Sequence, residues 1–304
     1  MSVLGIGVCK DIPLQSVRIR GLNYALFKTS SGRLAMVDAV CPHRGANLCN
    51  GRVSGDEIAC PYHGWRFDEG GNLTSVPSCD FIPLGCSLDT VDVVENGGFV
   101  WTSSSSSDLP THHCKELFDP RWVQIYGSLD LDGNIYDWIL NATDVSHINY
   151  VHNFADETNG EIRDLRISSG DDYVDCHALV NPKASSVATE HMQPVGGAPI
   201  HSRFIAPATS VVRIKLAGEY EFVTFSTLCP IDDSHTKMSW CMMYPSSPIM
   251  NNIVVKSRFR KRMVETIRQD EAIIRDTSSV PLNFNVPCDV FQLKTLRLLE
   301  GLWS

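Results

Sequence analysis

Two short stretches of this 304-residue chain carry the same residue types in nearly the same order. Cys41-Pro42-His43-Arg44-Gly45 is followed, after residues 46–59, by Cys60-Pro61-Tyr62-His63-Gly64-Trp65. Each supplies one thiol and one imidazole, first as Cys-x-His and then as Cys-x-x-His. Two thiolates and two imidazoles can hold one tetrahedral zinc. They can also hold a [2Fe–2S] cluster, with both cysteines on one iron and both histidines on the other. The order separates these readings. Common zinc fingers put the Cys pair first and the His pair later, whereas two similar hairpin loops pinching one cluster would give one of each. The proline behind each cysteine and the glycine behind each histidine stiffen and turn such loops.

A second run, from Asn141 through Asp144 and His147 to His152, sets two histidines near a carboxylate. Two His and one carboxylate on one face of Fe(II) leave positions open for O₂ and substrate. His147 and His152 are five residues apart, which in a regular α-helix turns them ~140° away from each other. They cannot then face one ion. The helix must distort, by a π-type bulge or by ending near Asn149 and delivering His152 from a loop or single turn. Asn149 and Tyr150 are the expected place, because Asn tolerates non-helical backbone.

The third ligand has to come from farther along. Met250 to Asp276 reads as a long amphipathic helix, with Phe259, Met263, Ile267 and Ile274 on one stripe at ~100° per residue. Asp270 falls inside that stripe, Glu271 near its edge, and Glu265 and Asp276 on the far side. An acid in an apolar stripe is costly unless it is paired or metal-bound. Asp270 is therefore the expected carboxylate ligand, with burial against an arginine as its other reading. The two imidazoles and Asp270 should reach one ion at roughly 2.0–2.2 Å.

These motifs resemble those of the Rieske non-haem iron oxygenases. Cys-Pro-His-Arg-Gly with Cys-Pro-Tyr-His-Gly-Trp-Arg-Phe is similar to the cluster loops of ring-hydroxylating and demethylating members. Asn-x-x-Asp-x-x-His-x(4)-His is similar to the iron motif of dicamba and vanillate demethylases and saxitoxin-pathway hydroxylases. The resemblance implies a Rieske [2Fe–2S] cluster on Cys41, His43, Cys60 and His63, and a mononuclear Fe(II) on His147, His152 and Asp270. Asp144 becomes the acid bridging a cluster histidine to the iron site, and Asn141 lines that site. The implied fold class is α+β: an N-terminal all-β Rieske domain over 1–102, a linker over 103–110, and a C-terminal helix-grip catalytic domain over 111–304, with an antiparallel sheet and a long helix.

The resemblance also implies a head-to-tail homotrimer, with the two metal sites of one chain far apart but close across a subunit boundary that carries Asp144. Electrons would come from NAD(P)H through a separate reductase or ferredoxin, and pass through His43 or His63 and Asp144. The implied reaction uses O₂ to hydroxylate a small apolar or polycyclic organic substrate, with oxidative O- or N-demethylation or desaturation as alternatives. From other classes, a Rieske-type electron carrier would need only the first hundred residues, and a zinc-stabilised binding module would need no iron. In the respiratory branch two extra cysteines join the loops; here the matching positions are Ala46 and Tyr62. Trp65 replaces that branch's cluster-bonding serine. Fewer hydrogen-bond donors imply the low end of the Rieske range, about −150 mV. The apolar-aromatic lead-in of relatives is missing at the N-terminus, so the first strand and the trimer contacts are expected to differ.

The elements that must position these residues are legible in outline. Short apolar runs such as Tyr24–Phe27 and Leu34–Val37, punctuated by Ser30-Ser31-Gly32, Gly70-Gly71-Asn72 and Asn96-Gly97-Gly98, make the first hundred residues β-rich. Gly98-Phe99-Val100-Trp101 reads as the last strand of that unit. Ser103 to Ser107, then Asp108-Leu109-Pro110, have no core to join. Beyond them, Val211–Leu216 alternates, with Val212, Ile214 and Leu216 on one face and Arg213 and Lys215 on the other. Glu221–Cys229 and Thr236–Tyr244 read as further antiparallel strands. Met238, Trp240, Met242 and Tyr244 share a face, as substrate pocket or as ordinary core. His112-His113 and the basic run Lys256–Arg262 read as solvated, with donor docking as the second reading of the basic run.

Composition bounds the setting. Hydrophobic residues make up 43% and charged residues 20%, ordinary for a globular protein. The net charge, 26 − 35 = −9, disfavours nucleic acid or an anionic membrane as partner. No apolar run reaches the roughly 18–20 residues of a membrane span, and Met1 to Lys10 lacks the pattern of a signal peptide. Eleven cysteines without a secretion signal read as reduced thiols of a cytoplasmic protein, nine of them small buried hydrophobes.

Overall fold

The computed structural model describes residues 3–9, 12, 14–103, 105–107, 109–152, 160–180, 197–216, 220–277 and 284–300. Its N-terminal third is built from short strands. β1 (Gly5–Val8), β9 (Val94–Asn96) and β10 (Phe99–Trp101) form one sheet in the order β1-β10-β9. β2 (Leu14–Ile19), β3 (Leu22–Lys28) and β4 (Leu34–Asp38) form a second, and β5 (Arg52–Ser54), β6 (Glu57–Ala59), β7 (Arg66–Phe67) and β8 (Leu73–Ser75) a third. Both faces of β3 are packed, Tyr24 and Leu26 into one core and Ala25 and Phe27 into another, so Tyr24 to Phe27 are buried without alternation. The first strand is present: β1 pairs with β10, and the amide of Leu4 donates to Thr102 Oγ1 at 2.9 Å.

The rest of the chain is organised by a seven-stranded antiparallel sheet. It comprises β11 (Trp122–Asp132), β12 (Arg163–Ser169), β13 (Tyr173–Val180), β14 (Ala198–Ile205), β15 (Thr209–Lys215), β16 (Glu221–Pro230) and β17 (His235–Pro245). Strands β12 to β17 run as a meander and β11 closes the end beside β17. Among the described residues four α-helices accompany it: α1 (Ile135–Ala142), α2 (Ile148–Val151), α3 (Ile253–Asp276) and α4 (Val290–Leu299). α3 begins at Ile253, three residues later than its periodicity predicts, because the Asn252 side chain accepts the Val254 amide and caps it.

Both faces of the sheet are covered. On one, Met238, Trp240 and Tyr244 of β17 join Trp138 and Ile139 of α1, Ile267 of α3 and Phe291 of α4 in the main core. The alternating Met238–Tyr244 face is thus core beneath the helices, and the Phe259 ring of α3 packs at a tilt on Tyr244 with ring centroids 5.0 Å apart. On the other face, Phe99, Trp101, Leu109 and Leu117 pack on Val211, Val223, Phe225 and Met243. The core also runs unbroken from Ile6, Val17 and Met36 into the large sheet, so the N-terminal strands and the sheet are one packed body.

One expectation needs correction here. Leu109 and Pro110 were to be part of a coreless linker, yet both are buried on the sheet; Ser104 and Asp108 of that stretch lie outside the described residues. Arg213 meets the same covering segment. Its guanidinium donates to Glu116 at 3.0 Å, and Glu116 is only 3% exposed. The segment covering the sheet supplies a buried acid, and a buried acid needs such a partner. The basic run on α3 is mainly solvated, as its composition indicates. Among the described residues no helix is long and apolar enough to cross a membrane.

Candidate metal centres

The two Cys/His loops fold in the same way. In the first, the Cys41 amide donates to Ala46 and the Gly45 amide to Cys41; in the second, the Cys60 amide donates to Trp65 and the Gly64 amide to Cys60. Each turn closes on a glycine in the left-handed region, Gly45 at φ 72° and Gly64 at φ 71°. Other residues are strained at that φ, which is the reason for glycine at both positions. One loop follows β4 and the other joins β6 to β7, so three-dimensional pairing of the loops rests on the packed core of Phe27, Val37, Leu48, Ile58 and Phe67.

Within this cradle the thiols and imidazoles separate. Cys41 and Cys60 are buried, whereas His63 is exposed and His43 half-buried. The His43 and His63 rings stand edge to face with centroids 4.7 Å apart. Trp65 stacks flat on His43 at 4.3 Å. Burial, with the neighbouring Cys60 thiol, pushes Cys41 up to about 11. His43 Nδ1 is buried without a hydrogen-bond partner. Two inner sulfurs, two outer imidazoles and an unpartnered ring nitrogen fit a cluster whose two irons carry different ligands. All eleven cysteines are free thiols. Of the nine outside the loops, Cys79 is exposed and Cys9, Cys49, Cys86 and Cys288 are intermediate, so only Cys114, Cys176, Cys229 and Cys241 behave as buried hydrophobes.

The second centre is set by a broken helical segment. α1 starts on a capping box between Asn134 and Asp137 and stops at Thr143, whose hydroxyl donates back to the Ile139 carbonyl at 2.8 Å. Asp144 then begins a new turn. Its Oδ1 accepts the amides of Ser146 at 2.7 Å and His147 at 3.3 Å, as a capping acid does. The single turn of α2 follows, and His152 leaves it with extended backbone at φ −97°, ψ 134°. The chain therefore breaks as the five-residue spacing requires, but not at Asn149 and Tyr150. Those residues lie inside α2. The breaks fall before His147 and at His152 itself: Asp144 closes the turn ahead of α2 through the Ser146 and His147 amides, and Asn149 is buried with its amide donating to the Gly160 carbonyl at 3.2 Å.

This path brings the two imidazoles to α3. Asp270 Oδ1 lies 3.4 Å from His147 Nε2 and 3.5 Å from His152 Nε2. One ligand atom from each of the three residues falls within 4.8 Å of the others. Donors at roughly 2.0–2.2 Å from one ion stand about 3 Å from each other, so the spacing fits a metal. Asp270 is 8% exposed, and its Oδ1 is buried without a hydrogen-bond partner. A buried, unpartnered carboxylate oxygen is costly unless a cation completes it. Burial pushes His147 down, but Asp270 and Asp144 outweigh it and hold the ring above its ordinary value. Burial holds His152 below its ordinary value.

The remaining expected residues are placed less tightly. Asp144 Oδ2 is 4.0 Å from His147 Nδ1, too long for a hydrogen bond. Asn141 is half-buried in the last turn of α1 and its carbonyl accepts the Asp144 amide at 3.1 Å. Among the described residues its side chain bonds none of the three. Glu271 is buried rather than peripheral, with Oε1 accepting the Asp132 amide at 2.9 Å. Gln269 reaches His152, a contact that helical periodicity alone does not reveal.

A second group of possible ligands, His112, His113 and Asp172, also lies within 4.8 Å. The solvated reading of the histidine pair fails for His113, whose side chain is 9% exposed. Arg203 Nη1 donates to its Nδ1 at 3.1 Å, which leaves the proton on Nε2, facing Asp172 at 3.4 Å. A protonated Nε2 has no lone pair for a metal. This is an ion-pair network, extended by the bidentate Arg203–Asp175 pair.

Comparison with known proteins gives a family for each of the two segments that carry these residues. Residues 7–87 match the Rieske [2Fe–2S] domain. Residues 136–303, more than half of the chain, match the vanillate O-demethylase oxygenase C-terminal domain. The cholesterol 7-desaturase nvd of Bombyx mori is 34% identical over 143 residues, 45% of this chain and 31% of that protein. The 3-ketosteroid-9-alpha-monooxygenase oxygenase component of Mycolicibacterium smegmatis is 33% identical over 149 residues, 45% of this chain and 38% of that protein. These matches span less than two fifths of the relatives' length. In fold, dicamba monooxygenase bound to 3,6-dichlorosalicylic acid superposes with a TM-score of 0.84 at 19% identity, covering 99% of this chain and 96% of that one. NdmA of Pseudomonas putida CBB5 with caffeine gives 0.80 at 19%, covering 99% and 90%. With a Rieske domain followed by a vanillate-demethylase-type C-terminal domain, the chain belongs to the Rieske non-haem iron oxygenases.

Proposed function

We propose that this chain is an oxygenase component that inserts oxygen into an apolar, polycyclic organic substrate. The observation that carries the reading is the convergence of His147, His152 and Asp270 around a buried carboxylate oxygen that no protein donor satisfies. An electron carrier of Rieske type has no use for such a site. When bound, the Rieske cluster supplies single electrons and the mononuclear iron supplies the open positions at which O₂ reacts. His147, His152 and Asp270 would hold that iron, and Cys41, His43, Cys60 and His63 the cluster. The relatives named for cholesterol and a 3-ketosteroid support a steroid-like substrate. The desaturase among them supports dehydrogenation as the alternative outcome at the same centre.

The test is substrate-dependent O₂ uptake by the purified protein with a surrogate reductase and NAD(P)H, across a panel of sterols and 3-ketosteroids, with product analysis. The oxygenase reading expects uptake and about three irons per chain, two in the cluster and one mononuclear. About two irons and no uptake with any steroid would leave an electron carrier.

Asp144 would link the centres. Backbone amides fix its Oδ1, which leaves Oδ2 to accept from an imidazole. In a head-to-tail trimer that imidazole would be a cluster histidine of a neighbouring copy, whose cluster would take its electron from a separate ferredoxin or reductase. Asp144→Asn keeps the shape and removes the charge. It is expected to retain both metals and to slow reoxidation of the pre-reduced cluster by about 100-fold, as loss of an outer-shell carboxylate does. Stopped-flow single turnover reads the rate. An unchanged rate, or full activity from a monomer, removes Asp144 from the path.

A further inference from the structure

Gln269 precedes Asp270 on α3, and its side chain lies against the opposite edge of the His152 ring. Gln269 Oε1 is 3.2 Å from His152 Nδ1, while Nε2 of the same ring points at Asp270 Oδ1, 3.5 Å away. A neutral imidazole carries one proton, and an acceptor at Nδ1 places it there. The lone pair is then on Nε2, on the side of the carboxylate. His147 has no such support. Among the described residues its Nδ1 is buried without a hydrogen-bond partner, and Asp144 Oδ2 is 4.0 Å away. The two histidines are thus held by different means, one from the C-terminal helix and one from its own turn.

We propose that Gln269 is a positioning residue for the mononuclear site, whose side-chain oxygen sets the tautomer and ring plane of His152. The proposal rests on the reading of His147, His152 and Asp270 as metal ligands. Its force comes from the adjacency of Gln269 and Asp270. One rigid helix delivers the carboxylate ligand and orients an imidazole ligand at the same time. Glu271 fixes the register of that helix, accepting the Asp132 amide at 2.9 Å and pairing with Arg268. Three consecutive side chains therefore reach the two ends of α2, at His147 and His152, and the end of β11 at Asp132. A slip of α3 by one residue, ~100° of rotation, would undo all three contacts together.

The test uses full-length protein with the Rieske cluster intact and oxidised, and with the mononuclear iron removed by a chelator. Co(II) is titrated in and followed by its high-spin EPR signal. Gln269→Leu, which has no acceptor, is expected to weaken Co(II) binding about 10- to 100-fold and to broaden the signal. Gln269→Glu keeps an acceptor oxygen and is expected to restore near-wild-type affinity. Gln269→Met lacks the acceptor without branching, and carries the same expectation should the Leu variant fail to fold. Wild-type affinity in the Leu or Met variant overturns the proposal. So does an equal loss in the Leu and Glu variants, which marks a packing role. Asp270→Ala is the control. If it still binds Co(II) like wild type, the ligand reading fails and takes the proposal with it. If it loses Co(II) while Gln269→Leu does not, only the role of Gln269 falls.

Discussion

Asp270→Ala is expected to abolish turnover and lower the iron content from about three to about two per chain, with the Rieske absorption unchanged. Two neutral imidazoles on a short turn bind a ferrous ion weakly; the carboxylate supplies the negative charge and the third corner. Among the described residues the neighbouring acids Glu271 and Asp144 already have other partners. Glu271 is committed to the Asp132 amide and Arg268, and Asp144 accepts two backbone amides of its own turn. The same residue should behave differently in the fold. Its Oδ1 is buried without a hydrogen-bond partner, so in metal-free protein the carboxylate is a burden. Metal-free Asp270→Asn is therefore expected to melt no lower than metal-free wild type, while added Fe(II) raises the melting temperature of wild type alone. A large loss of apo stability in the Asn variant would show that Asp270 is a structural ion-pair partner of the histidines. Retention of about three irons by the Ala variant would place the mononuclear iron elsewhere.

What could be read from the sequence follows how local each feature is. The loops at Cys41 and Cys60 are self-contained: each hydrogen bond that shapes them spans five residues or fewer, so the motif alone carries the geometry. Asp270 was legible one step removed, because helical periodicity puts an acid among Phe259, Met263 and Ile267. The break between His147 and His152 was legible as a necessity but misplaced at Asn149. The missed signal was Asp144 followed by Ser146 and His147, a helix-start pattern that sat inside what read as one helical stretch. Gln269 illustrates the other limit. Its contact with His152 spans 117 positions, and a glutamine on a helix carries no mark of such a partner. Leu109, Pro110 and His113 were misjudged for a related reason. Serine-rich composition nearby says nothing about a sheet face, built a hundred residues later, that needs covering.

Cys60→Ala is expected to abolish the reddish-brown Rieske absorption and all turnover, yet leave the fold and about one iron per chain. Cys60 is one of two buried sulfurs in the cradle. Without it one iron of the cluster has a single protein ligand, and the cluster is not retained. The loop itself is closed by backbone bonds, Cys60 amide to Trp65 and Gly64 amide to Cys60, and an alanine can make both. Far-UV circular dichroism should therefore stay near wild type. The histidines allow a finer test. His43 is stacked on Trp65, so replacing it disturbs packing as well as ligation. His63 is exposed, and His63→Cys changes the ligand with little packing cost. A third thiolate in place of an imidazole should shift the spectrum toward that of an all-thiolate ferredoxin and lower the potential below the Rieske range. Turnover should then be lost although a cluster is present, because a thiolate cannot donate the hydrogen bond that Asp144 would accept. An unaltered Rieske spectrum in either variant, Cys60→Ala or His63→Cys, would remove that residue from the cluster.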